Sequence, residues 1–249
     1  FTTFKYGYYS PVSLGFTSNT WSTIWNGIHQ CYMFQESLKQ VSNEYVTDEM
    51  KKQYLAESNF LIAYYHFLSM RSYGPTMIIR SVIDLETPIS GFPERSSIDE
   101  VVAFINEKLD EAMSEGGLPT TWSGKDYGRA TRLAALALKS RVYLYAASPL
   151  YNGNTEMYAD FRSPLDGRQL IAQEKSQAKW EISATQTKYA IDEVEKAKFH
   201  LYHDADAGEV YTDLLPYAVS TAEDGTETVI TLREQLLPIV SENTARRKT

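Results

Sequence analysis

From Thr20 to Gln40 the apolar positions Trp21, Ile24, Trp25, Ile28, Cys31, Tyr32 and Leu38 recur mostly at steps of three and four. That spacing places them on one face of a helix, with Thr20 positioned as its N-cap. The stretch VSNEYVT is a turn. Thr47 to Tyr73 forms a second, longer helix with Met50, Tyr54, Leu55, Leu61, Tyr64, Tyr65 and Leu68 on one side, and Gly74-Pro75 ends it. Two helices joined by a short turn make an antiparallel hairpin.

Residues 74–96 have no helical period, and TMIIRSVI within them is a short extended piece. Ser97-Ile98-Asp99-Glu100 fits a capping box and opens a helix to about Ser114. After the loop GGLPTTWSGKDYG, a helix is expected over Arg129 to Ser148, and a fifth over Trp180 to Lys198. The second helices of the pairs compare at an offset of 78: Leu55-Ala56 with Leu133-Ala134, Tyr65 with Tyr143, Phe67 with Tyr145. Repeated helix hairpins predict a mainly α fold, a tetratricopeptide-like solenoid carrying long irregular loops. Three regions are expected: an aromatic-rich segment 1–20, a helical region 21–202, and a loop-rich region from 203 to 249 with a β-like stretch at Glu227 to Leu232.

Charge narrows the function. A net charge of −8 and a pI near 5.1 argue against nucleic acid and anionic membrane surfaces, because such binding rests on clustered Lys and Arg. The single cysteine, Cys31, excludes an internal disulfide and a cysteine-based zinc site, and it falls in an apolar helical stretch as a packing residue. No run approaches the ~18–20 apolar residues of a membrane-spanning helix. The first residue is Phe1 and not an initiator Met, so targeting cannot be read from the start of the chain.

Catalytic motifs are missing. There is no HExxH, no GxGxxG after a strand, no Walker loop and no GxSxG. Ser176 and Lys179 match SxxK without its companion motifs, and His200 and His203 have no third ligand nearby. Glu36, Glu57, Asp110 and Glu111 read as solvated helix charges. No enzyme activity and no cofactor are expected. Calcium stays open, since oxygen-ligand sites in loops leave no fixed signature outside motifs such as the EF-hand.

Four stretches together resemble the SusD/RagB family of outer-membrane nutrient-binding lipoproteins. They are W-x-x-I-W-N-G-I at 21–28; AESNFLIAYYHFLSMRSYGPTMII at 56–79; R-S-S-x-D-E-V at 95–101 followed by GRATRLAALALKSRVYLYAASPLYNGN at 128–154; and F-x-S-P-x-D-G-x-x-L-I through K-W-E at 161–181, with HLY at 200–202 closing the next helix. Departures include Ile62 where the pattern has an arginine, Ile182-Ser183-Ala184 where it has an alanine pair, and Pro75 directly after Gly74. The resemblance covers roughly residues 21 to 202 and implies a SusD-like fold incomplete at both ends. It implies a non-catalytic binder of oligosaccharides on the outer face of the outer membrane, held by a lipidated N-terminus absent from this chain. The implied partner is a SusC-like TonB-dependent transporter. A peptide ligand, a helical scaffold or a glycoside hydrolase are the competing readings.

The resemblance also gives meaning to FTTFKYGYYSPVSLGFTSNTW at the start, with three Tyr, three Phe, one Trp and Lys5 as its one charge. It implies that the segment before the first long helix supplies part of the ligand surface. Sugars present C–H patches that an aromatic ring covers and hydroxyls that amides or carboxylates bind. The candidates are Tyr6, Tyr8 and Tyr9 for stacking with Asn19 as a polar partner, then the loop residues Trp122, Tyr151 and Asn152. Trp21 and Trp25, on helical period, are expected in the core.

Overall fold

A computed structural model describes residues 15–84, 86–199, 217–221 and 227–231. The chain divides into two compact units, Phe1–Lys198 and Phe199–Thr249.

The first unit is helical. Helix α1 is Gly15–Gln40, so it begins five residues before the expected cap, and Thr20 lies inside it. Helix α2 is Asp48–Tyr73; the Thr47 hydroxyl accepts the Met50 N–H at 3.3 Å, and Asp48 and Glu49 place negative charge in its first turn. Gly74 ends it at φ +71, a conformation that favours glycine, with its N–H on the Met70 carbonyl. Helix α3 is Ile98–Ala112 and opens on the expected capping box: Ser97 Oγ accepts the Glu100 N–H, and Glu100 Oε2 accepts the Ser97 N–H at 2.7 Å. Helix α4 is Arg132–Ala147, capped by Thr131, and a one-turn helix α5 at Thr155–Tyr158 precedes α6, Gln177–Lys196. Neighbours pack in sequence, α1 on α2, α2 on α3, α3 on α4 and α4 on α6, which is the layered arrangement of a helix-hairpin solenoid. In the second unit, β1 (Tyr217–Thr221) pairs antiparallel with β2 (Glu227–Thr231), Val219 opposite Val229.

The core runs through the hairpins in two clusters. Phe67, Met70, Ile98, Val101, Ile105, Leu109, Leu138 and Val142 anchor one, and Ile24, Ile28, Tyr32, Ile62, Ile79 and Phe104 the other. Helix α2 corrects the sequence expectation. Its buried residues are Ala56, Ser58, Ile62, Ala63, His66, Phe67, Ser69 and Met70, whereas Leu61 and Tyr64 are each 40% exposed. Because α2 is flanked by α1 and α3, it needs small residues at its close approaches, and the larger stripe is left partly outside. Ile62, where the family resemblance expects arginine, is fully buried at 0% exposure, which a guanidinium without a partner would not tolerate.

Candidate functional site

The first half of α1 builds one wall of a cleft of about 600 Å³. Trp21, Trp25 and Ile28 face it from successive turns, and Ser22, Asn26 and His29 follow each by one position. Apolar and polar side chains therefore form two adjacent stripes on the same helix. The opposite wall comes from the segment after Gly74. Met77, Ile79, Ser81 and Ile83 all line the cleft, the period-two spacing of an extended chain, and Asp84 and Phe92 complete its rim.

Among the described residues no sheet supports that extended segment; buried side chains do. The Tyr32 hydroxyl donates to the Ile79 carbonyl at 2.7 Å, and the Ile79 N–H donates to His66 Nε2 at 3.3 Å. His66 Nδ1 lies 2.8 Å from the Ile62 carbonyl, so the neutral imidazole carries its proton there. Burial pushes the His66 pKa down to about 4 and raises that of the Tyr32 phenol. Met77 also forms an isolated antiparallel bridge with Arg95.

The tryptophans are set by edge-to-face contacts. Trp21 meets Trp25 at 5.2 Å between centroids and Tyr73 at 5.0 Å, and Trp25 meets His66 at 6.1 Å. The Trp25 indole N–H is buried without an acceptor among the described residues. Both rings are half-buried and line the cleft; Trp25 also packs against the core cluster, as expected, while Trp21 stands at its edge. The missed signal was local: Ser22, Asn26 and His29 run beside the tryptophans at the same helical spacing.

The other candidates separate. Tyr6, Tyr8 and Tyr9 lie outside the described residues, as do His200 and His203, while Asn19 falls within α1. Trp122 is half-buried; its indole N–H donates to the Ala130 carbonyl at 2.7 Å, and the Arg129 guanidinium covers its ring at 4.1 Å. Arg129 is itself bound to Glu57 and Asp126, so this group braces the loop onto α2. Tyr127, in that same loop, is 86% exposed. Tyr151 and Asn152 are interior residues, 3% and 4% exposed, contrary to their expected place on a ligand surface. The Tyr151 hydroxyl donates to the Met70 carbonyl at 3.1 Å, and burial raises its pKa to about 12. The Asn152 amide donates to the Ala147 and Ser176 carbonyls and accepts the Ser176 N–H, tying the end of α4 to the start of α6. Among the described residues no three His, Cys, Asp or Glu side chains converge as a metal site, and no helix is long and apolar enough to cross a membrane.

A helical solenoid with an aromatic and polar cleft at one hairpin is the context in which the comparisons fall. The model of a SusD-like family, described as starch-binding and associating with the outer membrane, matches residues 9–144. The chain belongs to this SusD-like family, whose members are associated with the outer membrane. Among solved structures, it is similar to BT4246, at 33% identity and a TM-score of 0.67, over 82% of this chain and 35% of that one. A second structure, of selenomethionine BT4246, matches at 32% identity and a TM-score of 0.63, over 83% and 34%. A SusD superfamily protein from Parabacteroides distasonis shares the fold at 22% identity and a TM-score of 0.56, over 83% of this chain and 37% of that one. The chain thus spans about a third of the length of these relatives. No curated protein matches it.

Proposed function

We propose that the protein binds oligosaccharides at the bacterial cell surface without cleaving them and delivers them to a SusC-like TonB-dependent transporter. A lipidated N-terminus, outside this chain, would hold it on the outer face of the outer membrane. The observation that carries the binding reading is the cleft itself. Trp21, Trp25 and Phe92 offer apolar rings, Ser22, Asn26 and His29 offer donors and acceptors along α1, and Asp84 offers a carboxylate at the opposite rim. That combination suits a ligand with C–H faces and hydroxyl rims, and the cleft has the volume of an ordinary ligand site. Family membership and the family's description support the same reading.

The absence of cleavage rests on a physical requirement. Glycoside hydrolysis commonly needs two carboxyl groups flanking the scissile bond. Among the described residues lining the cleft, Asp84 is the single carboxylate, and its Oδ1 accepts the Glu86 N–H at 2.9 Å.

The test is electrophoresis of the intact protein through gels containing plant, microbial and host polysaccharides, with the same mixtures assayed for new reducing ends. Retardation without new ends is the expected result. New ends would make the protein a hydrolase, and retardation on no gel, with binding to oligopeptides, would make it a peptide receptor.

A further inference from the structure

The cleft's electrostatics go further than its aromatic lining. We infer that this site takes uncharged glycans and rejects those bearing carboxylates or sulfates, an inference that rests on the glycan-binding reading above.

The charges on and around the walls carry it. Among the described residues that line the cleft there is no Lys or Arg, and the one formal charge is the Asp84 carboxylate at the rim. The segment that forms the second wall does contain cations, but both are held elsewhere. Arg80 stands between the lining residues Ile79 and Ser81, yet its guanidinium turns to α3. There it binds both carboxylate oxygens of Glu107, at 2.7 and 3.1 Å, and lies over the Phe104 ring at 4.8 Å. Arg95, which pairs with Met77 through the backbone, donates to the Tyr73 and Pro75 carbonyls at the end of α2.

The consequence follows from desolvation. A neutral sugar gives up hydroxyl–water hydrogen bonds and regains them from Asn26, His29, Ser22 and Asp84. A uronate or sulfate must also shed its charge hydration, and among the described lining residues it would meet no fixed cation and one like charge. The chain's net charge of −8 adds a repulsive field on approach. Proteins that hold anionic groups tightly supply a guanidinium or ammonium for them; this cleft has two guanidiniums in its own wall segment and directs both away.

The experiment uses the intact protein in two steps. Gel retardation is first measured on soluble starch, laminarin, xyloglucan and galactomannan, and on polygalacturonate, alginate and chondroitin sulfate. The neutral polymer that retards most is then compared by calorimetry with the same polymer after its primary hydroxyls are oxidised to carboxylates. The expected result is retention by neutral polymers alone and a loss of about tenfold or more on oxidation. That loss should shrink several-fold in Asp84→Asn, and again as salt is raised from about 0.02 to 0.5 M and the charges are screened. Asp84→Asn keeps the oxygen that accepts the Glu86 N–H, so the turn at the rim is preserved. Equal or tighter binding of the oxidised polymer, or retention by the acidic polymers alone, overturns the charge selection while leaving a glycan binder. A loss that neither Asp84→Asn nor salt changes supports selection by desolvation and removes repulsion by Asp84 from it. Retention by no polysaccharide removes the binding reading, and the selection with it.

Discussion

The backbone N–H of Ile79 donates to Nε2 of His66 across 3.3 Å, and this contact joins the buried face of α2 to the wall of the cleft. It exists only while His66 is neutral, because a protonated Nε2 has no lone pair to offer. The His66 pKa lies near 4 in the folded protein, below the ordinary 6.5, chiefly because burial penalises the charged ring. Between those values the unfolded chain binds a proton that the folded one does not. Stability therefore falls as pH drops below 6.5, by about 1.4 kcal/mol per pH unit from this one group, and the loss levels off once the folded histidine protonates near pH 4. Urea unfolding at pH 7, 5.5 and 4.5 should show this slope in the wild type, with its His66 part absent in His66→Gln.

Tyr32 holds the other side of the same residue. Tyr32→Phe leaves the Ile79 carbonyl without its 2.7 Å donor while keeping the ring in place. A loss of about 1 kcal/mol in stability is expected, and up to about 3 kcal/mol if no water reaches the freed carbonyl. Ligand affinity should fall as well, since Ile79 lines the cleft. Paired chemical denaturation and calorimetry would separate the two effects.

Asn152 and Tyr151 should behave as structural residues. Asn152→Ala removes an amide that satisfies three backbone groups between α4 and α6, at an expected cost of about 2–4 kcal/mol. Tyr151→Phe should cost about 1 kcal/mol. Neither substitution should alter glycan affinity in protein that remains folded, which gel retardation can check.

Gly153, next to them, is at φ +80, and a Cβ there would sit 2.6 Å from the Lys175 backbone nitrogen. Because the obstruction is backbone and the conformation left-handed, Gly153→Ala combines strain with overpacking. A loss of about 2–4 kcal/mol is expected by thermal or urea unfolding.

These residues also mark what the sequence could and could not reveal. Ser97 with Glu100, and Gly74, were legible because a cap is a contact among residues three or four apart, whereas Thr20, expected as a cap, lies inside α1. The hairpin order followed from them. The burial of Tyr151 was not legible, since its partner Met70 is 81 positions away and the surrounding PLYNGN reads locally as loop. The inner face of α2 was misjudged for a related reason. Periodicity locates a stripe of large apolar residues, but a helix packed on two sides buries alanine and serine where its neighbours come close. At the cleft, period alone assigned Trp21 and Trp25 to the core. Their partial exposure depends on the opposite wall, Met77 to Asp84, leaving a cleft beside α1, a tertiary relationship that no spacing in the chain encodes.

The most direct test of the cleft as the ligand site is calorimetric titration of the retained polysaccharide into the wild type, Trp21→Ala, Asn26→Ala and Phe92→Ala, each verified as folded by circular dichroism. Loss of a stacking ring should weaken binding by about tenfold or more, and loss of the Asn26 amide by a smaller factor. Wild-type affinity in all three folded variants would contradict the account and move the glycan site off this cleft.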